Sequence, residues 1–138
     1  MNNRNVQFED IIGRYLTISV TNKNYRIYVE ESGQGIPLIC LHTAGSDGRQ
    51  FRHILNDKKI TENYKVIVFD LPWHGKSNPP VGYENEEYKL TTSLYKEIIM
   101  SFCDAYKVNN PVIMGCSMGG RVVLHLALEH SNYFRAVI

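Results

Sequence analysis

Pro111-Val112-Ile113-Met114-Gly115-Cys116-Ser117-Met118-Gly119-Gly120 decides the fold. Val112 to Met114 is a short apolar run without alternation, the pattern of a strand buried on both faces. From Met118 to His130 the apolar residues Val122, Val123, Leu126 and Ala127 recur at helical spacing. Ser117 therefore stands at a strand-to-helix junction, flanked two residues away on each side by Gly115 and Gly119. Such a junction has to turn sharply, which lifts the serine Oγ clear of the sheet. Glycines at these two places remove the Cβ atoms that would collide where strand and helix come together. The Met118 N–H, in the first turn of the helix, is free to stabilise an oxyanion. Ser117 is the candidate nucleophile.

The same grammar extends on both sides. Upstream, Pro37 to Leu41 and Val66 to Phe69 are further unalternating apolar runs. Helical spacing is present from Gly48 to Asn56 (Phe51, Ile54, Leu55) and from Thr92 to Tyr106 (Leu94, Ile98, Ile99, Phe102, Cys103). Downstream, a last apolar run opens at Phe134 and ends with Ile138. Strands that alternate with helices imply βαβ units, hence a mostly parallel sheet with helices on both faces. Tyr15 to Val20 and Tyr25 to Glu30, joined through Asn22-Lys23-Asn24, read as an antiparallel hairpin leading into it. The fold class is α/β. Ligands in such sheets sit at the carboxyl ends of the strands, which points to the loops after Leu41, Phe69 and Gly115.

At these three loops the chain resembles the α/β-hydrolase superfamily. Leu38-Ile39-Cys40-Leu41-His42-Thr43-Ala44-Gly45 resembles the strand and His-Gly segment that supplies half of the oxyanion hole. Phe69-Asp70-Leu71-Pro72-Trp73-His74-Gly75-Lys76-Ser77 looks like the D-x-P-G-x-G-x-S loop, and Gly115 to Gly120 matches the nucleophile elbow. The resemblance implies that Ser117 attacks a carbonyl or equivalent centre and that the N–H groups of Met118 and Ala44 bind the oxyanion. His42, Gly115 and Gly119 would shape the supporting loops. Thr43 replaces the usual glycine after the histidine, and a β-branched residue resists positive φ, so a differently shaped oxyanion loop is expected.

A serine nucleophile needs a base, and the base needs an orienting carboxylate. In this superfamily they follow the serine in the chain. After Ser117 only His125, Glu129 and His130 remain, and all fall on the helix that leads away from it. His53 reads as a surface residue and His74 as a structural loop residue. Residues 1–138 are thus expected to be the N-terminal portion of a single α/β-hydrolase domain, ending within the sixth of eight strands, with the acid and the catalytic histidine beyond residue 138. The alternative is a half-domain without catalysis that acts as an interaction module or needs a complementing chain.

Serine at the elbow argues against the dehalogenase and epoxide hydrolase branches, which use a carboxylate there. A small carboxylic ester or related acyl substrate is the expectation, handled through an acyl-enzyme. Trp73 and Phe51 are candidates for an acyl pocket or for packing. The sequence has no HExxH, no Cys/His cluster at ligand spacing and no phosphate-cradling glycine motif, so neither metal nor cofactor is expected. A net charge of +1 with scattered cations supports neither nucleic acid nor membrane as partner. Met1 to Asp10 is polar and carries no leader-like apolar region, and Cys40 and Cys103 read as buried thiols, which together suggest a cytoplasmic protein. If the chain truly ends at 138, its last strand would be an open edge prone to self-association.

Overall fold

The computed structural model describes residues 7–138; Met1 to Val6, part of the stretch read as lacking a leader, lie outside them. Strands β1 (Ile12–Val20) and β2 (Lys23–Ser32) form an antiparallel hairpin. Its turn is Thr21-Asn22, both at positive φ (48° and 63°), rather than Asn22-Lys23-Asn24. A two-residue connection of this hand matches the twist of the paired strands, so Lys23 and Asn24 are recruited into the ladder. Strand β3 (Ile36–Leu41), β4 (Tyr64–Phe69), β5 (Val112–Gly115) and β6 (Ala136–Val137) complete one sheet. The spatial order is β1-β2-β4-β3-β5-β6. β4 joins the hairpin antiparallel through β2 and pairs parallel with β3, and β3–β5 and β5–β6 are parallel.

The unalternating strands are buried on both faces, as their composition requires. In β3 and β4, Leu38, Cys40, Val66 and Val68 enter one core, while Ile39, Leu41, Ile67 and Phe69 enter the other. Two helices cover this second face: α3 (Thr92–Tyr106) and α4 (Met118–Glu129). From α3 come Ile98, Ile99, Phe102 and Cys103, and from α4 Val122, Val123 and Leu126. The opposite face is covered by shorter helical pieces, of which the sequence reading covered Gly48 to Asn56. They are a 3-10 turn over Gly48–Phe51, then α1 (Arg52–Asn56), then α2 (Lys58–Thr61). The carboxylates of Asp47 and Asp57 each cap the amide two residues on, which starts the 3-10 turn and α2 as separate pieces. Phe51 is buried there with Leu55, so it packs the core and lines no acyl pocket.

Cys40 and Cys103 are buried free thiols, and burial pushes both up to about 12. No described helix is long and apolar enough to cross a membrane.

Candidate active site

The sheet order generates the crevice. The connection from β3 runs to β4 on one side and the next returns past β3 to β5 on the other, so the loops after β3 and β5 part above their carboxyl ends. At this point Leu41 and Gly115 are register partners. The Cys116 N–H donates to the Leu41 carbonyl at 3.2 Å and pins the junction before Ser117 to the end of β3.

Ser117 has φ 52° and ψ −108°, a left-handed conformation that L-residues reach only with strain of about 1–3 kcal/mol. It is exposed at the N-cap of α4. The flanking glycines make this geometry possible. A Cβ on Gly119 would lie 2.5 Å from the Leu41 carbonyl oxygen, and one on Gly115 2.3 Å from the Gly119 carbonyl carbon. Neither space admits a methyl group. The Met118 amide, at the start of α4, has no acceptor among the described residues.

Across the crevice, Thr43 does not take positive φ. The loop instead turns between Thr43 and Ser46, whose N–H donates to the Thr43 carbonyl at 3.3 Å, and Gly45 takes the left-handed position (φ 65°). Moving the positive φ two residues on is how this loop accommodates a β-branched residue. The Thr43 N–H is occupied by the Gln50 side chain at 2.9 Å, whereas the exposed Ala44 amide has no acceptor among the described residues. Gln50 escaped sequence reading because nothing in its spacing marks it.

His42 is fully buried beneath this loop. The Leu71 N–H donates to its Nε2 at 3.1 Å, so Nδ1 carries the proton and donates to the Thr43 carbonyl at 2.8 Å. Burial holds its pKa below the ordinary 6.5 and the ring neutral. With both nitrogens engaged, His42 is a fixed support for the loop and not a base. His74 lies half-buried against it, ring centroids 5.0 Å apart, with Nδ1 3.0 Å from the Pro72 carbonyl. His53 is exposed. His125 stands two turns along α4 from Ser117, about 12 Å down the axis, with His130 farther still. Glu129 is ion-paired with Lys96. No described carboxylate–histidine pair is brought to Ser117.

Two supports were not singled out in the sequence. Asp70, the first residue of the D-x-P segment, is buried and accepts from the Gly48 N–H at 2.7 Å and the Lys76 N–H at 2.8 Å. It ties the loop after β4 to the segment after β3. Tyr95 is buried on α3, its hydroxyl without a partner among the described residues, beside a cavity of about 80 Å³ shared with Met118 and Arg121.

The strand–turn–helix junction thus presents a strained, exposed serine beside the end of the strand whose loop carries the Ala44 amide. A sequence profile described as the alpha/beta hydrolase fold matches residues 36–138. The chain belongs to this family. It is 29% identical over 112 residues to the pimeloyl-[acyl-carrier protein] methyl ester esterase of Vibrio cholerae, covering 81% of this chain and 39% of that protein. With the 2-hydroxy-6-oxo-6-phenylhexa-2,4-dienoate hydrolase of Burkholderia cepacia it shares 29% over 135 residues, 94% of this chain and 45% of that one. The crystal structure of an epoxide hydrolase from Vigna radiata superposes with a TM-score of 0.76 at 19% identity, covering 93% of this chain and 39% of that chain; at that identity the likeness is one of fold. These relatives are hydrolases, and the chain spans about two-fifths of the length of each.

Proposed function

We propose that this chain carries the nucleophile and the oxyanion donors of a serine esterase acting on small carboxylic esters. The observation that carries the reading is the backbone of Ser117: a strained left-handed serine between β5 and α4, in a space that Gly115 and Gly119 alone leave open. Strain of this kind persists where the surrounding packing over-determines it, and it clusters at reactive positions. Serine, and not a carboxylate, at this position favours an acyl-enzyme.

In the proposed reaction Ser117 Oγ adds to the ester carbonyl carbon while its proton passes to a histidine. The carbonyl oxygen becomes an oxyanion and accepts from the Met118 and Ala44 amides. One such donor is worth about 2.7–4 kcal/mol of barrier. Collapse breaks the bond to the alkoxy group, which leaves as alcohol with the proton from the histidine. Water then cleaves the acyl-serine by the same route in reverse. Because neither His42 nor His74 is placed to serve, the base and its carboxylate come from polypeptide outside residues 1–138. The small-molecule ester is the only partner this chemistry requires.

The test is hydrolysis of p-nitrophenyl acetate by the protein purified from its source. A burst of nitrophenol followed by slower turnover supports an acyl-enzyme, and Ser117→Ala should lower kcat by at least about a thousandfold. Turnover that survives this substitution would refute the assignment.

A further inference from the structure

Trp73 combines three features that packing does not explain. Its φ is 70°, the left-handed region that glycine enters freely and a bulky side chain does not; the loop motif it resembles has glycine at this place. Its ring lies against two tyrosines from the segment before α3, edge-on to Tyr83 with centroids 4.9 Å apart and tilted on Tyr88 at 5.0 Å. Yet all three remain more than a third exposed, at 37%, 38% and 38%. The chain thus holds a strained tryptophan against two tyrosines at the surface, each keeping more than a third of its area in water.

Trp73 belongs to the loop that leaves the carboxyl end of β4, beside the oxyanion-loop support His42. Trp73 lies between Leu71, whose N–H binds His42, and His74, whose ring packs on it. His42 in turn is two residues before Ala44. Beside the aromatic rings is a recess of about 120 Å³ floored by Leu94 and Ile98 of α3. An apolar cavity of about 150 Å³ holds one benzene, so this recess is on the scale of a single ring. The acids at its edge are neutralised: Glu86 pairs with Lys23, and Glu87 with Lys89 at 2.8 Å. A charge-neutral recess walled by aromatic edges and faces suits an uncharged ring, which gains from offset and edge-to-face contacts.

We infer that Trp73 is a specificity-determining residue, an aromatic platform that seats a neutral aryl group of the ester cleaved at Ser117. This rests on the esterase reading above and names its substrate class.

Trp73 is the single tryptophan of these 138 residues, and an emission change that Trp73→Phe removes reports the recess. The experiment titrates the Ser117→Ala protein with phenylacetone, an uncleavable neutral aryl ketone, and with acetone and tetramethylammonium as controls. A saturable emission change with phenylacetone alone, weakened about tenfold by Tyr88→Ala, supports the platform. No saturable change, or an equal response to tetramethylammonium, overturns it. In parallel, Trp73→Gly relieves the strained φ, gives up the ring contacts with Tyr83 and Tyr88, and is assayed well below its melting temperature. It should lower the kcat/KM ratio of phenyl acetate over methyl acetate by about tenfold or more. An unchanged ratio counts against the platform while leaving Ser117 untouched. Hydrolysis that survives Ser117→Ala, alongside selective phenylacetone binding, would sink the esterase reading and leave the aryl site standing.

Discussion

Gly119 sits so close to β3 that any side chain there must displace backbone. A Cβ would be 2.5 Å from the Leu41 carbonyl oxygen and 2.9 Å from the Leu41 Cβ. Overpacking of this kind costs about 1–3 kcal/mol, so Gly119→Ala should lower the melting temperature and disturb Ser117 together. Thermal melts of the two proteins check this. His42 makes a prediction about pH. Burial keeps its folded pKa below 6.5, so the unfolded chain takes up a proton there that the folded chain refuses. Stability is therefore complete above about pH 6.5 and declines as pH falls toward the folded value. A His42→Gln protein, which can donate to Thr43 and accept from Leu71 without titrating, should lack this slope in melting temperature against pH. Asp47 adds a separate, more acidic step. Arg49 holds its carboxyl at about 2, below the ordinary 3.8, so that contribution is present above about 3.8 and is lost as pH falls through 2. The elbow was legible because sterics demand its glycines at fixed spacing. The partners of Thr43 and of Asp70 were not, because a hydrogen bond across 7 or 22 residues leaves no periodic trace.

Elements were legible to the extent that burial writes a period. Strands β2 to β5 and the helices α3 and α4 follow from their apolar patterns, because each presents its apolar residues to a fixed core; β6 is a two-residue exposed strand within the apolar run that opens at Phe134. The helical stretch read from Gly48 to Asn56 is present as a 3-10 turn running into α1, whereas α2, restarted by the Asp57 cap, was missed because only Ile60 marks it as apolar. Likewise the β1–β2 turn is set by backbone hand, which residue type records weakly. Asp70 shows what these loops contribute. Its carboxylate satisfies the buried Gly48 amide and also the Lys76 amide. Asp70→Ala would leave the Gly48 N–H buried without an acceptor, at about 1–3 kcal/mol. Denaturant melts should show that loss, and Asp70→Asn, which keeps one acceptor oxygen, should recover part of it.

At the scale of the whole molecule, the mostly parallel sheet and the two cores were foreseeable from the alternation of strands and helices, whereas the spatial strand order, which places the crevice, leaves no mark in that alternation. The open last strand expected from the sequence is exposed in the structure. Val137 and Ile138 meet water, at 40% and 67% exposure, while Val112 on the neighbouring strand is buried in the core with Phe51 and Leu55. The sequence reading missed Leu124 and Leu128, exposed at 66% and 84% on the outer side of α4. Each large apolar side chain in water forgoes about 1.5–3 kcal/mol, so residues 1–138 expressed alone should self-associate through α4 and β6. Size-exclusion chromatography checks this, and a monomer with a sharp melt would contradict it. The central claim is that Ser117 is a nucleophile whose base lies outside these residues. Fluorophosphonate labelling with peptide mapping tests it most directly. The account predicts a single adduct on Ser117 in the protein purified from its source, and little or none on residues 1–138 alone. Equal labelling of Ser117 in residues 1–138 alone, or an adduct on any other residue of the source protein, would contradict it.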